Sequence, residues 1–182
     1  MSKQFIKIIA IIFAVLAIII AWPWLNKVIN PQKTNSMDKV SVNLAQFTPE
    51  TVTKISIKKG NEEKVLSFSN NQWLIGNDEA EMDKVKQLFQ DMANLKIKEM
   101  VSENQDNWKK FEVTADTGFQ LTITQNGQES VFFIGKSGTA TDDFYIRKDG
   151  IKNVYLVNGG LRDKLGWEET KWKKAAESQN KK

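Results

Sequence analysis

Asp142 and Asp143 stand side by side in a loop rich in Gly and Thr, and paired carboxylates are the machinery of glycoside hydrolysis. Adjacent positions of an extended chain point to opposite sides, however. The pair therefore reads as a solvated turn, and a carboxylate-dependent hydrolase is only a remote alternative. Gly135-Lys136-Ser137 matches the end of a phosphate-binding loop, but that motif needs a glycine where Ser130 stands and a helix where a loop follows. Gly135 and Gly138 are expected to supply positive φ at a strand end. Lys136 and Ser137 also make a Ser-Lys couple of the kind used in nucleophilic catalysis, yet nothing marks either as buried or activated. Asp78, Glu79, Glu81 and Asp83 lack the spacing of a calcium loop. They read as acids that complement the dipole of the helix beginning there. The chain has no His and no Cys, which removes the commonest general base and the commonest neutral metal ligand. No enzyme, no metal site and no cofactor are expected.

The aromatic residues offer recognition rather than catalysis. Trp73 and Trp108 fall in apolar patterns and are expected to fill the core. Trp167 and Trp172 follow the last such pattern and are expected at the surface, with Tyr145 and Arg147 sharing one face of a strand. These four are the candidate partner or ligand surface. Exposed rings in that set would suit a protein partner or an envelope glycan.

These residues follow a segment that dictates location. Ile8 to Leu25 is an unbroken run of 18 uncharged residues, 11 of them Leu, Ile, Phe or Val. A helix needs about 20 such residues to cross a bilayer, and these 11 favour insertion by about 3–7 kcal/mol if counted at the helix centre. Trp22 and Trp24 suit the membrane–water interface, and Lys3 and Lys7 precede the run, which places the N-terminus inside. A cleaved signal peptide would need small residues at its cleavage site, but Ile19 and Ala21 are followed by Trp22-Pro23. We read residues 1–25 as a single-pass anchor and 26–38 as a tether spanning roughly 20 Å. Residues 39–168 form an extracytoplasmic domain, and 169–182 a basic, frayed tail.

The net charge of +4 divides unevenly: residues 1–26 carry +2, 27–44 carry +2, 45–168 carry −3 and 169–182 carry +3. The folded part is mildly acidic, which argues against nucleic-acid binding, since that wants a basic stripe on the fold itself.

Within the domain, period-2 alternation marks strands and period 3.6 marks helices. Val40–Leu44 reads as a short strand. Val52–Lys58, Lys64–Ser69 and Gln72–Ile75 follow as a meander, with Lys59–Glu62 and Asn70-Asn71 as its turns. Met82, Val85, Leu88, Phe89, Met92 and Leu95 share one helical face within 81–95, and Lys96–Val101 reads as a strand. Alternation resumes at Phe119, Leu121 and Ile123, with a hairpin turn at Asn126-Gly127 and a return strand over Ser130–Ile134. Phe144–Arg147 and Asn153–Val157 form another hairpin, and Leu161–Leu165 a short helix. The expected fold is α+β: an N-terminal transmembrane helix, then antiparallel β-meanders with two helices, arranged as two similar meander-plus-helix units.

The run Asn107-Trp108-Lys109-Lys110-Phe111-Glu112-Val113-Thr114, with Phe133-Ile134-Gly135-Lys136-Ser137-Gly138, Phe144-Tyr145-Ile146-Arg147, Val154-Tyr155-Leu156-Val157, Leu161-Arg162 and Trp172, resembles the bacterial family called domain of unknown function 4340. Val52-Thr53-Lys54-Ile55, Trp73-Leu74-Ile75, and Val85–Leu95 leading into Val101-Ser102 resemble its opening meander and helix. The resemblance covers about Thr51 to Lys173. Where the family often has Asp-Pro at the helix start, this chain has Glu81-Met82, a departure that would shift the start. The resemblance implies an extracytoplasmic domain behind a membrane helix, in some members beside transporter-like components related to gliding motility, and it supplies no catalytic residues. The expectation is a non-enzymatic accessory or interaction module on the bacterial cytoplasmic (inner) membrane with an envelope or transporter protein partner. An envelope glycan-binding module is the alternative.

Overall fold

The computed structural model describes residues 42–175. The expected anchor, the tether and the end of the tail from residue 176 lie outside the described residues. Among the described residues no helix is long and apolar enough to cross a membrane.

Nine strands form one antiparallel sheet: β1 (Val52–Lys59), β2 (Glu62–Ser69), β3 (Gln72–Ile75), β4 (Asp78–Glu79), β5 (Lys96–Ser102), β6 (Phe119–Gln125), β7 (Gln128–Ser137), β8 (Asp143–Lys148) and β9 (Val154–Asn158). The order across the sheet is β4-β3-β2-β1-β6-β7-β8-β9-β5. Two four-strand meanders thus run outward in opposite directions from the central β1–β6 pair. Their tight turns follow the sequence. Asn70-Asn71 and Asn126-Gly127 both carry positive φ at each residue, which Asn and Gly accept and which matches the twist of the flanking strands.

Among the described residues four short α-helices accompany the sheet, where two were expected: α1 (Met82–Ala93), α2 (Trp108–Phe111), α3 (Leu161–Leu165) and α4 (Glu169–Trp172), with a 3₁₀ turn at Gln105–Asn107. Helix α1 forms because Val85, Leu88, Phe89 and Met92 recur on one face, and all four are buried. It starts at Met82 directly after Glu81, so the missing Asp-Pro does not move its start. Phe89 meets Trp73 of β3 with ring centroids 5.6 Å apart, while Leu95 lies against Gly159, just past β9. A 12-residue helix is about 18 Å long. In a flat sheet β3 and β9 would lie about 29 Å apart, so the sheet curls around α1.

The concave face holds the main core: Ile55, Leu66, Trp73, Leu121, Phe132 and Tyr155 from the strands, with α1, Leu161 and Leu165 laid over them. Val42 and Leu44 are buried there as well, but they belong to turn and coil rather than to the expected strand. A smaller cluster of Phe111, Val113, Phe133 and Val154 sits on the opposite face, beneath α2. Strand β7 runs on through Gly135 to Ser137. Neither Gly135 nor Gly138 has positive φ, which corrects the expected reason for these glycines. At Gly135 the need is proximity: a Cβ there would lie 2.0 Å from the Phe111 carbonyl oxygen, so only glycine lets α2 approach the sheet.

The expected frayed tail is also corrected for residues 169–175. Trp172 is fully buried, because this segment closes the β4 edge. The Glu81 amide donates to the Trp172 carbonyl at 2.7 Å and the Lys174 amide to the Glu79 carbonyl at 2.9 Å, with Ala80 and Lys173 forming an antiparallel bridge. Lys173 pairs with both Asp78 and Glu169 at 2.9 Å, and Lys174 with Glu79 at 3.0 Å. A period-based reading misses this, since a single buried indole makes no repeat. Replacing Trp172 with Ala is expected to lower unfolding free energy by about 3–5 kcal/mol, measured by urea titration. A change within about 0.5 kcal/mol, typical of surface positions, would mean that the segment is not part of the core.

Candidate functional site

The four residues expected to share a surface fall into two separate places, and most of their area is engaged internally. Trp172 is buried, and Trp167, half-buried, packs against it at a tilt of 53° with ring centroids 5.5 Å apart. Tyr145 is half-buried on the opposite face, its ring 4.6 Å from that of Phe111. Arg147 is 3% exposed. The expected membrane-interface set, Lys3, Lys7, Trp22 and Trp24, lies outside the described residues. Of the two core expectations, Trp73 is buried. Trp108 is half-buried and packs on the smaller cluster, its indole N–H donating to the Lys152 carbonyl.

Arg147 is a clamp. Its guanidinium lies 3.7 Å from the centre of the Trp108 ring and 4.4 Å from that of Phe133. Its Nε donates to the Val113 carbonyl, and one terminal nitrogen donates to the carbonyls of Lys148 and Ile151. Burial pushes its pKa down, and Asp149 pushes the other way. A planar fork held by three carbonyls and two ring faces ties the α2 segment to the sheet, a task suited to Arg rather than Lys.

Asp142 and Asp143 have different fates. Asp142 is exposed at φ 60°. Asp143 is 2% exposed and accepts bonds from Lys98 Nζ at 2.7 Å and Asn158 Nδ2 at 2.9 Å. Those two donors, Lys98 first, hold its carboxyl below the ordinary carboxylate range. Nearby, burial pushes Asp91 up, with Asp142 and Asp163 adding to the rise and Lys164 opposing it. The acids ahead of α1 divide their roles. Asp83 sits in its first turn, while Asp78 and Glu79 pair with the C-terminal lysines. Among the described residues no group of three or more acidic, His or Cys side chains is arranged to hold a metal.

Two hollows adjoin at the end of the sheet where β1 and β7 finish and β6 and β8 begin. One, of about 210 Å³, is lined by Ser137, Thr141, Asp142 and Asp143. The other, of about 520 Å³, is lined by Lys59, Phe119, Trp167, Glu168 and Lys171. Arg162 and Asp163 of α3 line both. Arg162 Nε donates to the Gly135 carbonyl at 2.8 Å, and Lys59 lies 4.6 Å over the Phe119 ring. Lys64 caps the far end of α3 by donating to the carbonyls of Leu165 and Trp167, and burial pushes its pKa down. Of this groove, sequence reasoning found Trp167 and the two adjacent Asp residues. It missed Lys59, Arg162, Asp163 and Lys171 as a set, because they come from three elements with no shared spacing.

Two outcomes follow from these contacts. Arg147→Met should lower stability by about 2–4 kcal/mol, since three carbonyls lose their donor inside the fold, whereas Asp149→Asn should change it by less than about 0.5 kcal/mol. Equal losses would identify an ion pair rather than a clamp. Asp143 contributes stability above its unfolded-state pKa, and that contribution is lost as pH falls through its lowered folded-state value. The decline in stability from neutral to acid pH should therefore be shallower in Asp143→Asn, as read by urea unfolding at several pH values. An unchanged slope would remove Asp143 from the acid response.

No curated protein and no solved structure matches the chain. The family model described as domain of unknown function (DUF4340) matches residues 73–180. That match starts in β3, later than the Thr51 suggested by the sequence, and it includes the C-terminal segment that closes the β4 edge. With more than half of its length matched, the chain belongs to the DUF4340 family.

Proposed function

We propose that this protein is a membrane-anchored, non-enzymatic accessory module whose domain lies outside the cytoplasm of a bacterial cell and contacts an envelope or transporter-like membrane protein. The observation that carries the reading is the 18-residue uncharged run at Ile8–Leu25, followed within a short tether by a folded domain. Membership of the family adds support through the resemblance described above. The chemistry of the domain points the same way: Asp143, Arg147 and Trp172, the side chains best suited to a reaction or a stacking site, all serve internal contacts. A glycan-binding reading keeps one observation in its favour, the half-buried Trp167 facing an open groove.

The test is crosslinking in living cells followed by pull-down, with the full-length chain and a version lacking residues 1–25. Recovery of one membrane protein, strongly reduced without the anchor, is the expected result. Recovery of the full-length protein alone would end the accessory reading, and recovery of wall material with both versions would replace it with the glycan reading.

A further inference from the structure

We infer that the paired hollows flanking Arg162 and Asp163 form a docking groove for an extended, mixed-charge segment of a partner protein. This rests on the interaction-module reading and names the surface that would carry it. Three observations support it. First, the groove is bipolar. Lys59 and Lys171 line one hollow and Asp142 the other, with Arg162 and Asp163, adjacent and opposite in charge, on the wall between them. A simple anion or a nucleic acid would meet Asp142, Asp163 and Glu168. An apolar metabolite would find Phe119 and Trp167 in one hollow and Ala140 and Phe144 in the other, set among more numerous charged and polar groups, unlike the mostly apolar pockets that such ligands occupy. A polypeptide with an acidic side chain toward Lys59 and Lys171, and a basic one a few residues away toward Asp142 and Asp163, satisfies both ends.

Second, the central charge is positioned in advance. The bond from Arg162 Nε to the Gly135 carbonyl fixes the guanidinium at the end of β7, so less side-chain freedom is lost on binding. Third, the groove is accessible. It lies at the end of the sheet where Lys59 and Phe119 sit, whereas the described residues ahead of β1 pack at the other end, where Gln125 donates to the Gln46 carbonyl and the Thr51 hydroxyl. On its lining Lys59, Asp142, Asp163, Glu168 and Lys171 are all exposed.

The experiment installs a photo-reactive amino acid in the full-length protein, at Lys171 in the groove or at Lys54 on the polar face of the sheet. It also compares Lys59→Glu/Lys171→Glu with the control pair Lys54→Glu/Lys58→Glu, each checked by thermal unfolding. Should the groove pair fail to fold, the exposed Lys171→Glu alone replaces it. The expected result is a protein adduct from position 171 and none from 54, with recovery cut at least about tenfold, equivalent to 1.4 kcal/mol, by the groove reversal only. If a partner is recovered but crosslinks from 54, or is indifferent to the groove reversal, the groove assignment is wrong while the module reading stands. If no protein is recovered from any version, the module reading fails and the groove falls with it. An adduct at 171 that contains no peptide would overturn the protein-segment assignment.

Discussion

The fold depends on the pairing of β1 with β6. Within each meander every strand contact is a hairpin made by chain neighbours. Only β1–β6 and β5–β9 join strands distant in sequence. In the first of these Ile55 faces Ile123 and Ile57 faces Leu121, and all four are buried. Each meander alone leaves its apolar face uncovered until another element packs on it. Joined at β1–β6 they present one concave surface, wide enough to wrap α1 and to receive α3 from the second meander. Helix α1 then crosses the concavity and delivers the chain to β5 at the far edge, so the β5–β9 pair depends on the first junction. The closure entropy of such a long connection grows only slowly with its length, and apolar burial along two full strands offsets it.

What was legible in the sequence is what is local. Asn70-Asn71 and Asn126-Gly127 specify their turns because few other residues accept two successive positive φ angles. Val85, Leu88, Phe89 and Met92 specify α1 because one helical face must be buried. The illegible parts are contacts between distant segments. Trp172 belongs to the core because α4 folds back on the β4 edge, and its neighbours Lys171, Lys173 and Lys174 disguise it as tail. Gly135 reads as a strand end from its own neighbours, and only the approach of Phe111 explains it. Met82 shares the spacing of the α1 stripe yet is exposed, at the first position of the helix.

The candidate site divides along the same line. Asp142 is exposed, as a solvated turn requires, but Asp143 is buried in β8, which corrects that reading for half of the pair. The sequence holds no sign that Lys98, 45 residues away, would hold it. Arg147 was placed on the correct strand face beside Tyr145. Its partners, though, are chiefly carbonyls and rings, and backbone acceptors leave no mark in side-chain chemistry. The groove is the extreme case. Arg162, Lys59 and Lys171 become neighbours only after the β1–β6 junction and the α3 packing exist.

Charge shows how misleading a segment sum can be. The last 14 residues carry +3, which invites an image of a basic tail reaching for anionic headgroups. Yet Lys173 is engaged by Asp78 and Glu169, which draw its pKa upward, and Lys174 by Glu79. These pairs are partly exposed, so each contributes little alone and weakens with salt. Their effect is to let a lysine-rich segment lie along an acidic edge without repulsion, while burial of the Trp172 indole between them supplies most of the attachment. Lys171, inside α4, is left out of these pairs and lines the groove instead. One basic segment therefore does two physically different things: two of its lysines close the sheet, and a third supplies positive charge to the hollow beside Arg162.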